Sequence, residues 1–530
     1  MAPSTSVDDT KKNFEVSSDP IADDVQTGTI EEVGGLKRGL KTRHITLISF
    51  SSVVGAGTFY GFGYALQLSG PLGALIGFSI TGFVVWALMQ SVGEVTTMFP
   101  IPGGFIEHAS RFVDPAFSFS MSWLYYLMWS AFLGSEWNGA IMILQYWVPA
   151  ETIPLWGWTL IFLGLFSVMT TVGVGIYGEI EFWLGWFKLV SLGVCFFISF
   201  LVNVGAFGNG YIGFRYWTPP TGPIINGIQG FGIVFVMASE YYVGTEILSL
   251  AAGETKNPRK AIPKGVNTIV YRVLFVYLET MFFQGIICPS DADGLLNAHS
   301  KTASSPFTIG FTEAGWKSSG HFMNTIITIA FISAANGCIY VQARALHGMA
   351  IRGRAPKFFA KTTKKGVPIR AILMSCCWGL LALMNMKITA GNLFGYFVFV
   401  CGTAAYIAWG GIIFTHLRVR KGLEKQGVPA EQYPFRAFGS IWIYRFNLFL
   451  CIFLLLINGF TSLETPFKWR DFLAAYITIP TSIGLFVGWK LYHKTRWVRL
   501  DEMDFSDRLE KIVDDLPAKP SLLSKILGRS

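Results

Sequence analysis

Long apolar segments alternate with short polar loops along nearly the whole chain. Most of these segments approach or exceed the ~20 apolar residues that a helix needs to cross a bilayer. Uncharged runs of this length that recur so often are not typical of a soluble protein with buried helices. The pattern predicts an all-α polytopic membrane protein with about twelve transmembrane helices. The predicted spans, numbered 1 to 12, are 45–68, 72–92, 117–148, 155–174, 182–206, 227–250, 267–288, 321–349, 370–387, 392–416, 444–463 and 471–492.

Spans 1 and 6 are interrupted near their middles by small, polar and glycine residues. The interruptions lie at 54–58 in span 1 and at 239–246 in span 6. A broken helix exposes backbone N–H and C=O groups, which a bilayer tolerates only where the backbone lines a cavity or is buried in protein. A pair of such broken segments, one in each half of the chain, is typical of the binding site of a secondary transporter.

Composition supports the membrane assignment. Of 530 residues, 52% are hydrophobic and 14% are charged, whereas a soluble domain averages about a quarter charged residues. The polar residues before span 1 predict a disordered tail and lack the apolar core of a signal peptide. A proline-rich segment at 218–223 divides the halves. The predicted units are an N-terminal tail (1–40), two repeats (41–220 and 221–420), spans 11 and 12 (421–495) and a C-terminal tail (496–530).

The basic residues concentrate in alternate loops. They cluster at 37–43, 256–264, 352–370, 418–425 and 490–499, and the loops between these carry few. Because positive loops stay in the cytosol, both termini are predicted to be cytosolic and the number of spans to be even. The net charge of +9 follows from this topology. Nucleic-acid binding would need a basic domain outside the membrane, and the sequence contains none, so no nucleic-acid partner is expected. Cysteine and histidine do not share a metal-ligand spacing, so no metal site is expected. No cofactor is expected either.

The break in span 1 offers backbone donors to an anion. Amides at Gly55, Ala56, Gly57 and Thr58 could bind a carboxylate, helped by the positive end of the following half-helix. Glycine permits both the unwinding and the close approach of a ligand. The alternative is that these small residues only let neighbouring helices pack closely.

The break in span 6 combines free carbonyl groups with acidic and aromatic side chains. Carbonyls near Ala238, Ser239 and Glu240 could accept hydrogen bonds from an ammonium group. Tyr241 or Tyr242 could close over a ligand or bind a cation through the ring. Ionisable residues inside a membrane usually face a cavity or a partner, although Glu246 could simply cap the half-helix that follows.

Two further ionisable residues lie within apolar spans. Glu136 in span 3 could relay a proton, contact the substrate or pair with a structural partner. Lys188 in span 5 could exchange a proton, because burial disfavours its charged form, or its ammonium group could stand in for a sodium ion. The alternative for Lys188 is a side chain that extends to the membrane surface.

Five segments carry a resemblance to a known family over about residues 36 to 500. They read LKTRHITLISFSSVVGAGTFYGFGYALQLSGPLGALIGF, GEVTTMFPIPGGFIEHASRFVDPAFSF, YGEIEFWLGWFKLV, AAGETKNPRKAIPK and SAANGCIYVQARALHGMAIRGRAPKFFAKTTKKGVP. The chain resembles the fungal amino-acid permeases of the yeast amino-acid transporter family, within the amino acid–polyamine–organocation superfamily. It looks closest to their broad-specificity members, judged by EWNGAIMILQYW and FVMASEYYVGTE.

The resemblance implies a leucine-transporter-type architecture, with two inverted five-helix repeats followed by two extra helices. It implies that the substrate carboxylate lies on the amides of Gly55 to Thr58. The α-amino group would then meet carbonyls of the two breaks, near Ser52, Val53, Val54 and Ala238 to Tyr241. Lys188 matches the lysine that takes a sodium position in proton-coupled relatives, and Glu136 is the second candidate for proton coupling. The implied process is proton-driven amino-acid uptake at the fungal plasma membrane.

This chain departs from the usual family pattern at both breaks. The common Gly-Thr-Gly-Leu-Phe is replaced by residues 55–59, Gly-Ala-Gly-Thr-Phe, and the common Phe-Ser-Gly-Thr-Glu by residues 242–246, Tyr-Val-Gly-Thr-Glu, which keep Gly244. Glu240 stands where an apolar or aromatic residue is usual, which suggests basic or amine-bearing substrates unless it faces a neighbouring helix. An amino-acid exchanger or a nutrient-sensing receptor of the same fold are the alternatives. The tails are short for such a receptor, and no nucleophile or nucleotide-binding motif indicates an enzyme.

Overall fold

The computed structural model describes Gly55 and residues 57–171, 174–252, 257–295, 305–363, 366–463 and 465–508. Helices and the turns between them make up this part of the chain, which contains no β-strand. The predicted residues Ser52, Val53, Val54 and Ala56, the N-terminal tail and the end of the C-terminal tail lie outside the described residues.

Wherever the structure describes a predicted span, that part is mainly helical. Spans 1 and 2 share Gly57–Gly61 and Phe62–Met98, and spans 3 to 5 are Pro115–Leu144, Leu155–Met169 and Val174–Asn203. Span 6 is Gly227–Tyr242 with Ile247–Ala251, and span 7 is Pro258–Arg272, Val273–Leu278 and Glu279–Ile287. Spans 8 to 10 are Ser319–Ile351, Ile369–Cys377 with Trp378–Met386, and Ala390–Lys425. Spans 11 and 12 are Ile441–Ile457 and the pair Trp469–Tyr476 and Thr478–His493, and Gly104–Phe112 and Pro306–Glu313 are short helices between spans.

Seven of the described helices have the length and apolar composition needed to cross a bilayer, and the bent pair of span 12 makes an eighth. Leu155–Met169 and Ile441–Ile457 are apolar but shorter. Pro115–Leu144 has 30 residues, enough for about 45 Å, and is buried along most of its length. The chain is thus an all-α, polytopic membrane protein, as the hydrophobic pattern predicts.

A glycine separates spans 1 and 2. The backbone is helical on both sides of Gly70, but Gly70 itself has φ 73° and is followed by Pro71. Only glycine adopts this left-handed conformation without strain, and a Cβ atom there would lie 2.9 Å from the Pro223 carbonyl oxygen. The predicted boundary between 68 and 72 is confirmed.

The broken spans lie inside the helix bundle. Span 3 packs against spans 8 and 10, while the helix of spans 1 and 2 packs against span 6. The side chains at the two breaks are therefore buried among helices. Phe59, Phe62 and Tyr242 are all fully buried.

Candidate functional site

The described part of span 1 begins at its break. A π-helical turn, Gly57–Gly61, precedes the regular helix, and the amide of Thr58 donates to the Gly55 carbonyl at 3.3 Å. Gln284 of span 7 donates its side-chain amide to the Thr58 carbonyl at 3.1 Å. The break is thus held by a neighbouring span, and one of the amides predicted to bind an anion is bonded within the chain.

Span 6 is broken at 243–246, over the second half of the predicted interval. The helix continues through Tyr242, and Gly244 then adopts φ 92°. The amide of Val243 donates to the carbonyls of Ser239 and Glu240, both at 3.2 Å. Two of the carbonyls predicted to be free therefore already accept hydrogen bonds, and each keeps a second lone pair.

Tyr241 joins the two breaks. Its ring lies against Gly57 and its hydroxyl group against Gly61, at positions where a Cβ atom on either glycine would overlap it. The ring also packs against Phe62 and Phe78 at centroid distances of 5.2 and 6.1 Å. Glycine at 57 and 61 therefore allows close contact between spans 1 and 6, which is the packing role considered for the small residues.

Glu136 and Glu240 are two buried carboxyl groups within electrostatic range of each other, and Glu136 lies beside the break in span 1. Glu136 Oε1 lies 3.7 Å from the position that a Cβ atom on Gly55 would take, and the two carboxylates are near enough for their charges to interact. Both side chains are at most 5% exposed. Among the described residues, no hydrogen-bond donor reaches Oε2 of either one. This region can accept a positive group.

Lys188 is fully buried and hydrogen-bonded, so it does not extend to the membrane surface. Its ammonium group donates to the Ser333 hydroxyl at 3.0 Å. Ser333 in turn donates to the Glu181 carboxylate at 3.0 and 3.1 Å. Lys188 also lies within electrostatic range of Glu136, so the structure brings together the two residues predicted for proton coupling.

Glu246 stabilises the break in span 6 without capping the following half-helix through its side chain. Its carboxylate accepts the Gly244 amide at 3.1 Å and the Tyr125 hydroxyl at 2.9 Å. The Trp409 indole N–H donates to the same carboxylate at 3.4 Å. Glu246 therefore ties spans 3, 6 and 10 together.

A buried arginine supports the same break from span 7. Arg272 is 1% exposed and donates to the Tyr277 hydroxyl at 3.0 Å. That hydroxyl donates to the Tyr241 carbonyl at 2.8 Å, while Tyr242 donates to the Phe78 carbonyl at 3.1 Å. A third carbonyl of the span 6 segment is thus bonded to a neighbouring helix.

Sequence reasoning overlooked several residues of this region. Glu181 lies seven residues before Lys188, which places both on one face of a helix, and this spacing could have indicated a pair. Arg272 is a charged residue inside predicted span 7 and could have been found in the same way as Glu136. Ser333 and Gln284 carry no comparable signal, because polar uncharged residues are common in membrane helices.

Comparison with known proteins agrees with this architecture. The amino acid permease family model matches residues 44–502. A general amino acid permease of Saccharomyces cerevisiae is 40% identical over 469 residues, covering 88% of this chain and 83% of that protein. A basic amino-acid permease of the same yeast is 33% identical, covering 90% and 86%, and a dicarboxylic amino acid permease is also 33% identical, covering 88% and 79%. These relatives are named as transporters and not as enzymes, and the chain belongs to the amino acid permease family.

Proposed function

We propose that this protein is a proton-coupled symporter that imports amino acids across the plasma membrane. The observation that carries the proposal is the fully buried Lys188, which lies within electrostatic range of Glu181 and of Glu136, the carboxylate beside Gly55. A buried amine can exist in neutral and charged forms, so it can bind a proton in one state of the transport cycle and release it in another. The relatives' names supply the substrate class.

In this proposal the two breaks bind the backbone groups of the substrate. The carboxylate lies on the amides of Gly55 to Thr58, and the α-amino group meets carbonyls at Ser52 to Val54 and Ala238 to Tyr241. Tyr241 and Tyr242 border this position, and Gly244 allows the turn after it. The packing of Tyr241 on Gly57 fits a side chain that moves aside when substrate enters.

Coupling to a proton allows uptake against a concentration gradient. Each positive elementary charge that moves into the cytosol gains about 2.3 kcal/mol per 100 mV of membrane potential. Lys188 is the first candidate for the proton-linked residue and Glu136 the second.

Replacement of Lys188 by alanine tests the coupling. We expect Lys188→Ala to abolish accumulation against a gradient and to leave some exchange, because the substrate groups at the breaks remain. Uptake of labelled amino acids would be measured in a permease-deficient yeast, with and without a protonophore. Concentrative, pH-dependent uptake that persists in the variant would disprove the role of Lys188. Wild-type uptake that is the same with and without the protonophore would favour an exchanger.

The paired carboxyl groups suggest a preference for substrates with a second positive group. Glu240 and Glu136 are buried near each other, and an added ammonium or guanidinium group would offset their mutual repulsion. The names of the relatives include both basic and dicarboxylic amino acids.

Replacement of Glu240 by glutamine tests the preference. We expect Glu240→Gln to weaken competition by lysine against labelled substrate by about tenfold relative to leucine, which corresponds to about 1.4 kcal/mol. Glu279→Gln is the matched control, because Glu279 is a partly exposed carboxylate of span 7. Equal competition by lysine in wild type and Glu240→Gln would show that Glu240 faces a neighbouring helix instead.

A further inference from the structure

A hydrogen-bonded chain connects Lys188 to a second buried carboxylate on the same helix. Lys188 donates to Ser333 at 3.0 Å, and Ser333 donates to both oxygens of Glu181. Asn336, one helical turn after Ser333, lies 3.5 Å from Glu181 Oε1 and helps to orient it. All four side chains are at most 3% exposed. The hydroxyl between amine and carboxylate accepts from one and donates to the other, which is the arrangement that passes a proton along.

The hydrogen-bonded chain from Lys188 to Glu181 is oriented along the axis of span 5. Glu181 lies two helical turns, roughly 10 Å, before Lys188 and close to the start of Val174–Asn203. With both termini in the cytosol, span 5 begins at the cytosolic side, so Glu181 lies between Lys188 and the cytosol. Glu136 approaches Lys188 from span 3, beside Gly55. Lys188 is thus placed between a carboxylate at the substrate region and a carboxylate towards the cytosol.

Other charged or titratable groups lie within electrostatic range of Lys188, Glu181 or Glu136. Arg272 of span 7 is within electrostatic range of Lys188. Cys338 of span 8 is within range of both Glu136 and Glu181. A structural ion pair would by itself explain why Lys188 and Glu181 are buried together. Such a pair does not need the Ser333 hydroxyl group between the amine and the carboxylate.

We infer that Glu181 accepts the proton that Lys188 releases and passes it towards the cytosol. The inference rests on the proposed proton symport. In the step, the Lys188 ammonium group gives a proton to Ser333 Oγ while the hydroxyl proton of Ser333 moves to Glu181. The products are a neutral amine, an unchanged hydroxyl group and a neutral carboxylic acid. Loss of the proton from Glu181 to cytosolic water restores the carboxylate and completes the release.

Replacement of Glu181 separates release of the proton from binding of the substrate. The experiment uses the full chain in proteoliposomes, with the membrane potential clamped at zero and an imposed gradient of about one pH unit. One proton per substrate then supports roughly tenfold accumulation, because one pH unit is a tenfold ratio of proton activity. We expect Glu181→Gln to reduce the accumulation ratio to about one while exchange of labelled for unlabelled substrate continues. Glu179→Gln, a neighbouring carboxylate on another face of the helix, is expected to accumulate like wild type.

Ser333 gives a second test that leaves both charges in place. We expect Ser333→Ala to lose accumulation and to keep exchange, because the amine and the carboxylate can no longer pass a proton through the hydroxyl group. Ser333→Thr restores that group and should restore accumulation. If Glu181→Gln does not fold, as judged by size-exclusion chromatography, the comparison of Ser333→Ala with Ser333→Thr decides the question alone.

The outcomes distinguish this inference from the proposed function. Wild-type accumulation that follows the pH gradient, together with unchanged accumulation in both Glu181→Gln and Ser333→Ala, would overturn the role of Glu181 and leave symport standing. Loss of exchange and accumulation together in well-folded Glu181→Gln would show a purely structural role and would also overturn it. Wild-type protein that exchanges substrate but does not respond to the gradient would overturn proton symport itself.

Discussion

At the residue scale, two glycines of span 1 determine how closely it meets span 6. Gly57 and Gly61 are four residues apart, so they lie on one face of the turn, and Tyr241 occupies the space that their missing side chains leave. Tyr241 is also the residue whose carbonyl is bonded to Tyr277. A movement of this tyrosine would therefore change contacts of spans 1, 6 and 7 together.

The contact at Gly61 predicts that one substitution lowers transport and that a second substitution partly restores it. Gly61→Ala should lower transport by about tenfold or more, since its Cβ atom would overlap the Tyr241 hydroxyl and overpacking typically costs about 1–3 kcal/mol. Tyr241→Phe removes that oxygen, so the double variant should recover part of the lost activity. Initial rates of uptake, corrected for the amount of protein at the cell surface, measure both effects.

A glycine with open space around it provides the control for this pair. Among the described residues, no atom outside its own stretch of helix lies within 4 Å of the position of a Cβ atom on Gly193 in span 5, so Gly193→Ala should transport normally. Normal transport by Gly61→Ala would contradict the close contact. The absence of any recovery in the double variant would show that the hydroxyl group is not the cause.

At the scale of helices, the hydrophobic pattern predicted most of the fold. The turn between spans 1 and 2 follows from Gly70 and Pro71, and the break in span 6 follows from Gly244. Glu246 shows the limit of such reasoning. A carboxylate after a break suggests a cap for the next half-helix, but Glu246 instead binds Gly244, Tyr125 and Trp409. Two of those partners come from other spans, and sequence spacing within span 6 contains no information about them.

The same limit applies to the candidate site. Lys188 and Glu136 stood out because single charges in apolar spans are costly, and the structure brings them together. Ser333, which connects Lys188 to Glu181, belongs to a span far away in sequence and is an ordinary small polar residue by composition. Helical periodicity could place Glu181 beside Lys188, but only the packing of span 8 against span 5 supplies the hydroxyl group between them.

At the scale of the whole molecule, the chain after span 12 is packed against the predicted cytosolic side. Phe505 contacts Phe99 and Phe112 at centroid distances of 5.8 and 5.5 Å. Arg111 forms a hydrogen-bonded ion pair with Asp507 at 2.5 Å, and its guanidinium group lowers the pKa of Asp507. The start of the predicted C-terminal tail thus connects the loop between spans 2 and 3 to span 10, through Val419 and Leu423 of the same apolar cluster.

His108 makes this assembly on the predicted cytosolic side sensitive to pH. It is 2% exposed, and its Nε2–H group donates to the Phe99 carbonyl at 2.7 Å. Burial lowers the pKa of His108 to about 4, below the usual value near 6.5. Between these values the unfolded chain binds a proton that the folded chain does not, so stability is complete above pH 6.5 and falls as the pH decreases towards 4.

The resulting loss of stability can be measured. Between pH 7.5 and pH 5, protonation of His108 in the unfolded chain should lower the free energy of unfolding by about 2 kcal/mol, since one pKa unit corresponds to about 1.4 kcal/mol. The thermal unfolding midpoint of the detergent-purified protein should therefore fall over this range. His108→Gln keeps an N–H donor for Phe99 but cannot titrate, so its midpoint should fall less. His321→Gln changes an exposed histidine and should behave like wild type. An equal fall in wild type and His108→Gln would show that His108 is not the group whose protonation destabilises the protein.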